Sequence, residues 1–418
     1  MTETKYSGIA SIGEIPAHWR TYRIKSLLSL RSEKNSGDHD LLSVYLDRGV
    51  ISYNDSDGMQ VHKPSADLSN YQNVHVGDFV LNNQQAWRGS VGVSKYDGII
   101  SPAYFVFSLS DKCDPGYMNF LLRDGSMVQQ YETASRGVGT IQRNLYALWF
   151  YESLVALPPK DEQKTIAAFL SAKCAEIDAL TADIQTQINT LEQYKRSVIT
   201  ETVTKGLNPN SEMKDSGVFY MAPMNATWRL TKIGYICSKL SRSFAPEDTA
   251  LICSNKGKVQ VRADDLTGIM ISDDNAMQGI RSGDIAIHGM DTWHGAIALS
   301  EYDGKITRVV HVCDSTEDKR FVVYYMQHLA FQGVYKLISN GVRGNTSDFR
   351  SWDKVRDIWI AIPETKEEQA AICDYLDSQC TAVEEVIATK KEQLEVLGEY
   401  KKSLIFEYVT GKKEVPVS

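Results

Sequence analysis

The run EQKTIAAFLSAKCAEIDALTADIQTQINTLEQYKRSVITETVTKG occupies residues 162–206, and EQAAICDYLDSQCTAVEEVIATKKEQLEVLGEYKKSLIFEYVTG occupies residues 368–411. The opening Glu162-Gln163 recurs as Glu368-Gln369, a shift of 206 residues. The same shift aligns further identical residues throughout both runs, so the second run is a copy of the first. A copied segment of this length indicates an internal repeat, which decides how the rest of the chain is interpreted.

Apolar residues recur every seven positions in both runs, with Lys390 as the one break, and neither run contains proline. Such a stripe, sustained over four repeats, predicts long helices with a coiled-coil seam. About 40 residues at 1.5 Å each would make a rod of roughly 60 Å. Two helices that pack separately, each on its own domain, are the alternative. The stripe residues are Leu170, Ile177, Ile184, Leu191 and Val198 in the first run and Leu376, Val383, Leu397 and Leu404 in the second.

The repeat extends upstream of both helical runs. Ser94–Gly98 (SKYDG) matches Ser300–Gly304 (SEYDG), and Trp87 matches Trp293 at the same shift. We therefore interpret the chain as a tandem duplication, each half being a globular segment followed by a helical one. Short β-branched and aromatic stretches bounded by glycine and aspartate predict an α/β fold for the globular segments. The predicted boundaries are 1–155 and 208–360 for the globular domains and 156–207 and 361–418 for the helical segments.

Composition restricts the class of protein. With 418 residues, 43% hydrophobic and 23% charged, the chain is too long for one core and has ordinary globular composition. No apolar run is long enough to span a bilayer, so no membrane association is expected. The N-terminus lacks a signal-peptide pattern, and the seven cysteines form no CxxC motif. These features predict a reduced, cytoplasmic protein.

The net charge of -8 argues at first against a nucleic-acid partner. The acidity is uneven, however: residues 361–418 contain 7 basic and 12 acidic residues, a net charge of -5. The globular segments 1–155 and 208–360 have net charges of -2 and 0. We therefore expect the chain alone to bind DNA weakly, with partners supplying much of the charge that neutralises phosphates.

No catalytic constellation is evident. The chain has no GxxxxGK[ST] phosphate loop, no GxSxG motif and no Asn-Pro-Pro-Tyr-like tetrapeptide. Glu162 and Lys164 resemble a nuclease fragment, but acidic residues at a helix start favour the helix dipole, which is the simpler explanation. His288 and His294 lie six residues apart without a metal-ligand pattern. The sequence therefore predicts no catalytic residue, no metal and no cofactor of its own.

Two polar loops in each half are candidates for reading DNA. One pair is 82–89 and 288–295, which differ in sequence around a shared tryptophan, and the other is 135–144 and 339–350. Amide and arginine side chains suit base-edge recognition, and glycine lets the backbone approach phosphate. Surface loops anchored by a core tryptophan, or exposed turns, remain alternatives. The candidate residues are Asn82, Asn83, Gln84, Gln85, Arg88, Arg136, Thr140, Gln142, Arg143, His288, Thr292, His294, Arg343, Asn345 and Arg350.

Taken together, these motifs resemble the specificity subunit of type I restriction–modification systems. The opening Gly13–Trp19 (GEIPAHW), the lead-in Lys214–Gly217 (KDSG) and the Leu157–Gln163 entry to the helix (LPPKDEQ) match that family's pattern. The resemblance covers essentially the whole chain. The second copy departs from it, because Ala222–Trp228 (APMNATW) has lost most of the Gly-Glu-Ile-Pro-x-His motif.

The resemblance implies two target-recognition domains joined by an antiparallel helical spacer, with approximate twofold symmetry. Each domain would read one half of a bipartite, asymmetric site in double-stranded DNA. Two methyltransferase subunits would dock on the chain and carry S-adenosylmethionine, and restriction subunits using ATP and Mg²⁺ can join them. A coiled-coil scaffold that never reads DNA is the alternative function, and a self-contained nuclease or methyltransferase is disfavoured by the missing motifs.

Overall fold

The computed structural model describes residues 3–37, 39–56, 64–65, 67–137, 143–262, 276–339 and 348–416. The chain forms two compact units, which we call the first unit (Met1–Ile184 with Glu392–Ser418) and the second unit (Gln185–Lys391). Each unit contains one globular domain and one half of each long helix. The fold is α/β, as predicted from the repeated globular and helical segments.

The first unit has a central antiparallel sheet of order β4-β11-β8-β9, flanked by two-stranded pairs. Its strands are β1 (Thr4–Tyr6), β2 (Glu14–Pro16), β3 (Arg20–Arg23), β4 (Leu28–Arg31), β5 (Leu42–Tyr45), β6 (Gly49–Ser52), β7 (Gln72–Val74), β8 (Phe79–Asn82), β9 (Val91–Val93), β10 (Gly98–Ile100), β11 (Tyr104–Leu109), β12 (Ser135–Arg136), β13 (Asn144–Leu145) and β14 (Leu154–Leu157). Its helices are α1 (Pro115–Arg123), α2 (Gly125–Thr133), α3 (Ala147–Tyr151) and the beginning of α4 (Lys160–Lys205).

The second unit repeats this sheet with the order β18-β25-β22-β23. Its strands are β15 (Met213–Lys214), β16 (Met224–Asn225), β17 (Arg229–Lys232), β18 (Cys237–Lys239), β19 (Leu251–Ser254), β20 (Lys258–Val261), β21 (Met277–Ile280), β22 (Ile285–His288), β23 (Ile297–Leu299), β24 (Gly304–Thr307), β25 (Val310–Ser315) and β26 (Trp359–Ile362). Its helices are α5 (Ile233–Ile236), α6 (Lys319–Phe331), α7 (Val334–Leu337), α8 (Trp352–Arg356) and the beginning of α9 (Lys366–Val409).

Equivalent aspartates begin the helix that packs on each sheet. Asp114 caps α1 by accepting a hydrogen bond from the Tyr117 N–H at 2.9 Å, and proline follows it at the first helical position. Asp318 caps α6 in the same way through the Arg320 N–H. A side-chain oxygen at this position satisfies one of the helix's unpaired N–H groups, so both starts are set locally by sequence.

A buried tryptophan ties two helix ends together in each unit. The Trp19 indole donates to Glu162 at the start of α4, at 3.0 Å, and its ring also lies beside Gly411, just past the end of α9. The second unit repeats this arrangement: the Trp228 indole donates to Glu368 and lies beside Gly206. Both glycines have positive φ (83° for Gly206 and 70° for Gly411), the left-handed conformation in which glycine commonly ends a helix.

The Gln that follows each of these glutamates is also buried and structural. Gln163 accepts from the Asp114 N–H at 2.8 Å and donates to the carbonyls of Lys112 and Pro158. Gln369 accepts from the Asp318 N–H in the same manner. The repeated Glu-Gln pair therefore fastens each long helix to the domain before it. Glu162 is the acidic residue of the nuclease-like fragment. Its carboxylate bonds the Trp19 indole and the His18 Nε2, the latter at 2.8 Å.

The long helices pair in antiparallel fashion inside each unit. In the first unit, Phe169 of α4 stacks on Tyr408 of α9 with centroids 4.6 Å apart, and Lys401 bonds Asp178 at 2.5 Å. Residue numbers rise along one helix as they fall along the other. In the second unit, Lys195 bonds Glu384 at 2.5 Å, which is the repeat-equivalent of the Lys401–Asp178 pair.

The predicted seven-residue stripe is most buried toward the start of each helix, where Leu170 and Leu376 are 0% exposed. Ile199, one residue beyond the predicted Val198, is fully buried in the core of the second unit. The stripe is therefore an apolar seam that shifts phase along α4. Its buried residues are Leu170, Ile177, Ile184, Leu376, Val383 and Leu404, and its half-buried residues are Leu191, Val198 and Leu397.

Candidate nucleic-acid interface

The loop 82–89 of the first unit joins β8 to β9 and is held in shape by its own polar groups. Asn82 Oδ1 accepts from the Gln84 N–H at 3.1 Å, and the Trp87 indole donates to the Gln84 carbonyl at 3.1 Å. Ala86 is fully buried beneath the turn. As a result, Gln84 and Arg88 are exposed, whereas Asn82, Asn83 and Gln85 are half-buried.

The second candidate loop of the first unit lies against the first one. The Leu145 N–H donates to both the carbonyl oxygen and the Oδ1 of Asn83, at 3.1 and 3.0 Å. Arg143 lies over the Trp87 ring, 4.7 Å from its centroid, and pairs with Glu132 at 2.9 Å. Two segments about 60 residues apart thus form one surface. Thr140 and Gln142, also predicted here, lie outside the described residues.

Arginines and aromatic rings are interleaved on this surface. Arg88 lies 4.6 Å from the Trp87 ring centroid, and Arg136 lies 4.2 Å from that of Trp149. Cation–π stacking holds a guanidinium group flat on the ring and leaves its edge N–H groups available to acceptors. Stacked arginines of this kind suit bidentate contacts with phosphate or with a guanine edge.

In the second unit, the described end of the 339–350 loop also contacts the 288–295 loop. The Phe349 N–H donates to the Gly289 carbonyl at 2.9 Å, and His311 bonds the Phe349 carbonyl at 2.7 Å. A side chain at Gly289 would meet two backbone carbonyls at 2.9 Å, so this close approach requires glycine. Arg350 is exposed and lies 3.7 Å from Asp348, while Arg343 and Asn345 lie outside the described residues.

The three candidates of the 288–295 loop differ in accessibility. His294 is exposed and stacks on Trp293, with ring centroids 3.5 Å apart. His288 is mostly buried, and its Nδ1 accepts from the Asp291 N–H at 3.1 Å. Burial lowers the pKa of His288, although the nearby Asp291 carboxylate opposes that shift. Thr292 is only 1% exposed, so its hydroxyl is not presented to the surface.

Sequence reasoning missed several residues at these surfaces. Lys336 lies 3.9 Å from the Trp293 ring centroid, and Trp352 lies 5.7 Å from the His311 ring. Trp149, which carries Arg136, was also missed. None of these three residues lies in the four candidate loops that the sequence analysis singled out. The one available signal was the apolar run Tyr146–Trp149 (YALW), which directly follows a polar loop.

The described residues were also compared with what a metal site, a reactive thiol or a membrane span would need. No group of three or more potential metal ligands occurs among the described residues. All seven cysteines are buried, and burial raises the pKa of Cys237 to about 11 and of Cys253 to about 12, so these thiols stay protonated. None of the described helices carries an apolar stretch long enough to cross a bilayer.

Comparison with a solved structure decides the fold. A chain from a structure described as showing complex assembly and conformational transition of the type I restriction–modification system superimposes with a TM-score of 0.70 at 16% identity, covering 96% of this chain and 99% of that chain. This chain has the fold of that type I restriction–modification chain. The resemblance predicted from the repeated motifs is confirmed.

Sequence comparison agrees over the full length. The chain is 22% identical over 439 residues to a putative type I restriction enzyme MjaX specificity subunit from Methanocaldococcus jannaschii, covering 97% of this chain and 96% of that protein. The HsdS subunit from Thermoanaerobacter tengcongensis aligns with a TM-score of 0.48 at 16% identity, covering 96% of this chain and 98% of that chain. No family model matches the chain.

Proposed function

We propose that this chain is the non-catalytic DNA-recognition subunit of a type I restriction–modification complex. The observation that carries the proposal is the pair of loop surfaces, one in each unit, built on equivalent sheets but with different side chains. Arg88, Arg136 and Arg143 stack on tryptophans in the first unit, whereas His294 and Lys336 do so in the second. Different side chains on equivalent frames suit a bipartite site whose two halves differ in sequence.

The partners follow from the same proposal. Two methyltransferase subunits dock on the chain and bring S-adenosylmethionine, and restriction subunits that use ATP and Mg²⁺ can join the complex. The long helices act as the spacer between the two reading domains. The acidic segment 361–418 does not attract DNA, so the partners contribute positive charge around the duplex.

Long-read methylome sequencing of a host that carries the operon tests the reading role. We expect a split adenine-methylation motif that disappears when this chain is deleted and returns when it is restored. A catalytically inactive methyltransferase partner is the control, since it removes methylation without removing recognition. Absence of any motif dependent on this chain, with active partners, would contradict the proposal.

A mobility-shift experiment separates a DNA reader from a coiled-coil scaffold. The purified complex should retard DNA that contains the assigned motif and release it to specific competitor before random competitor. A scaffold would assemble the same complex and show no preference for the motif.

An insertion in α4 tests the spacer role of the helices. Inserting four residues within 178–192 should change the spacing of the methylated motif, because the insertion both lengthens and rotates the helix. Unchanged spacing would exclude a spacer role for the helices.

A further inference from the structure

A short helix of the first unit exposes a contiguous apolar run beside the candidate loops. Tyr146 is 50% exposed, Leu148 80% and Trp149 43%. All three immediately follow β13, whose Leu145 is hydrogen-bonded to the 82–89 loop. Large apolar side chains grouped at the surface in this way commonly mark a binding site.

The helix that carries this run is rigidly held. Phe150 is fully buried, and its ring packs 5.8 Å from Phe107 and 5.7 Å from Tyr131. Leu148 precedes Phe150 by two residues, which places it roughly 200° around the helix and so directed away from the core. Tyr146 and Trp149 stack 5.6 Å apart on the same side of the helix. Tyr146, Leu148 and Trp149 thus form an apolar projection on a fixed helix, and Leu148 is its most exposed residue.

Cationic side chains lie on and beside the projection. Arg136 covers the Trp149 ring, and Arg88 and Arg143 lie over Trp87 of the 82–89 loop, which Leu145 contacts through Asn83. Glu132 partly balances Arg143. An apolar tip within a cationic rim matches a nucleic-acid groove, where the phosphates lie outside and the stacked bases lie inside. A protein partner with a matching surface would need an acidic rim around an apolar pocket.

The second unit lacks the feature. Strands β14 and β26 align the two repeats with a shift of 205 residues, which sets Tyr146, Leu148 and Trp149 against Ser351, Asp353 and Lys354. The buried Phe150 corresponds to Val355, which is also fully buried. The same helix is therefore kept in both units, but only the first unit has an apolar outer face.

We propose that Leu148, supported by Tyr146 and Trp149, inserts as a wedge at a base step of the half-site bound by the first domain and bends the duplex there. Apolar side chains inserted between bases partly unstack them and kink DNA by about 20–90°. Leucine has no hydrogen-bonding group, so the wedge selects base steps that unstack easily, not particular base edges. This inference rests on the proposed reading function and adds a bend confined to one half-site.

The test uses the full chain copurified with its methyltransferase partners and a duplex containing the assigned motif. Energy transfer between dyes at the duplex ends reports the bend, and 2-aminopurine placed step by step reports unstacking. We expect Leu148→Ser to reduce the bend, abolish the 2-aminopurine signal at one step and weaken binding about tenfold. Trp149→Ala, which removes one supporting ring, should have a smaller effect in the same direction.

Phe219→Ser is the matched control, because Phe219 is equally exposed at 80% but lies in the second unit, outside the candidate loops. It should leave bend and affinity unchanged. A Leu148→Ser complex that bends and binds DNA like the unaltered one overturns the wedge. Loss of the methyltransferase from Leu148→Ser preparations also overturns it and assigns the patch to a protein partner. If the unaltered complex shows no sequence preference at all, the proposed function itself fails.

Discussion

The two units differ in the outer contacts that attach their domains to the helix pair. In the second unit, Arg320 of α6 bonds Asp374 and Asp377 of α9 at 2.8 and 2.7 Å, and the Tyr324 hydroxyl donates to Asp377 at 2.6 Å. Counted from the capping aspartates, the equivalent of Arg320 is Gly116. There the helices simply approach closely: a side chain at Gly116 would meet the Ala167 methyl group at 3.3 Å.

A second contact differs in the same way. Lys258, in the hairpin of β19 and β20, bonds Glu384 at 2.6 Å, and Glu384 also holds Lys195 across the helix pair. The first unit has Gly49 at the position of Lys258, because the equivalent hairpins pair Tyr45 with Gly49 and Ser254 with Lys258. The tryptophan, glutamate and glutamine anchors are common to both units, and only the outer contacts have diverged. The shared anchors therefore define the common frame of the two units, that is, the contacts that hold each domain on the helix pair.

The largest effect is expected from a shared anchor. Trp228→Ala should destabilise the second unit by about 3–5 kcal/mol, because it leaves a large cavity and removes the bond to Glu368. Hydrogen exchange with mass spectrometry reads each unit separately, and Trp19→Ala should have a similar effect in the first unit. Tyr235→Ala, at a residue that is 77% exposed, is the control. Markedly unequal losses would show that the anchors are not equivalent.

Acidification should destabilise the second unit more than the first, which is the second-largest expected effect. Burial lowers the pKa of His328 from 6.5 to about 4, and burial also lowers the pKa of His311, both in the second unit. Because the folded pKa of His328 lies below the unfolded value, the unfolded state binds the proton more readily. The stability that this neutral histidine contributes is complete above pH 6.5 and is lost as the pH falls toward 4, by up to about 3 kcal/mol.

Urea unfolding followed by hydrogen exchange at pH 7 and pH 5, corrected for intrinsic exchange rates, measures this loss. The second unit should weaken more than the first. His328→Gln keeps a polar side chain near Thr200 and should flatten the pH dependence, whatever its effect on absolute stability. An unchanged acid response in that variant would remove His328 as the cause.

The reading surfaces give the third prediction. Arg143→Ala in the first unit and Arg350→Ala in the second should each weaken binding of the complex to its site. The loss should be about 1–3 kcal/mol for an arginine that contacts a base, or a decrease of about one in the salt slope for a phosphate contact. Binding titrations over a range of salt distinguish the two. Lys95→Ala, in an exposed turn of the first unit, should change neither quantity.

The smallest effect is expected from the diverged contact. Arg320→Met should destabilise the second unit by only about 1 kcal/mol, since the Arg320 side chain is 35% exposed and water screens its ion pairs. Because salt screens such pairs, the difference from the unaltered protein should shrink at 1 M salt. Lys402→Met, at the fully solvated pair with Glu399, should have no measurable effect. If the free energy of unfolding of the second unit fell by more than 3 kcal/mol, Arg320 would be as important for stability as the shared anchors.

Much of the architecture was accessible from local sequence signals. The heptad pattern placed α4 and α9, because helix periodicity is a local property of the sequence. The divergent loops around Trp87 and Trp293 marked the two candidate surfaces. The roles of individual loop residues were less predictable. Thr292 looked available in the sequence, yet the turn places it inside the domain, where it is 1% exposed.

The sequence by itself determined that this protein is a duplication of a globular segment and a long helix, with two polar loops in each copy. Only the tertiary structure decided that each unit takes one half of each helix, because antiparallel pairing sets Phe169 near the start of α4 against Tyr408 near the end of α9. It also decided that Arg143 stacks on Trp87. An apolar stripe or an arginine requires a partner for burial or stacking, and that partner is chosen by three-dimensional packing between residues far apart in the chain.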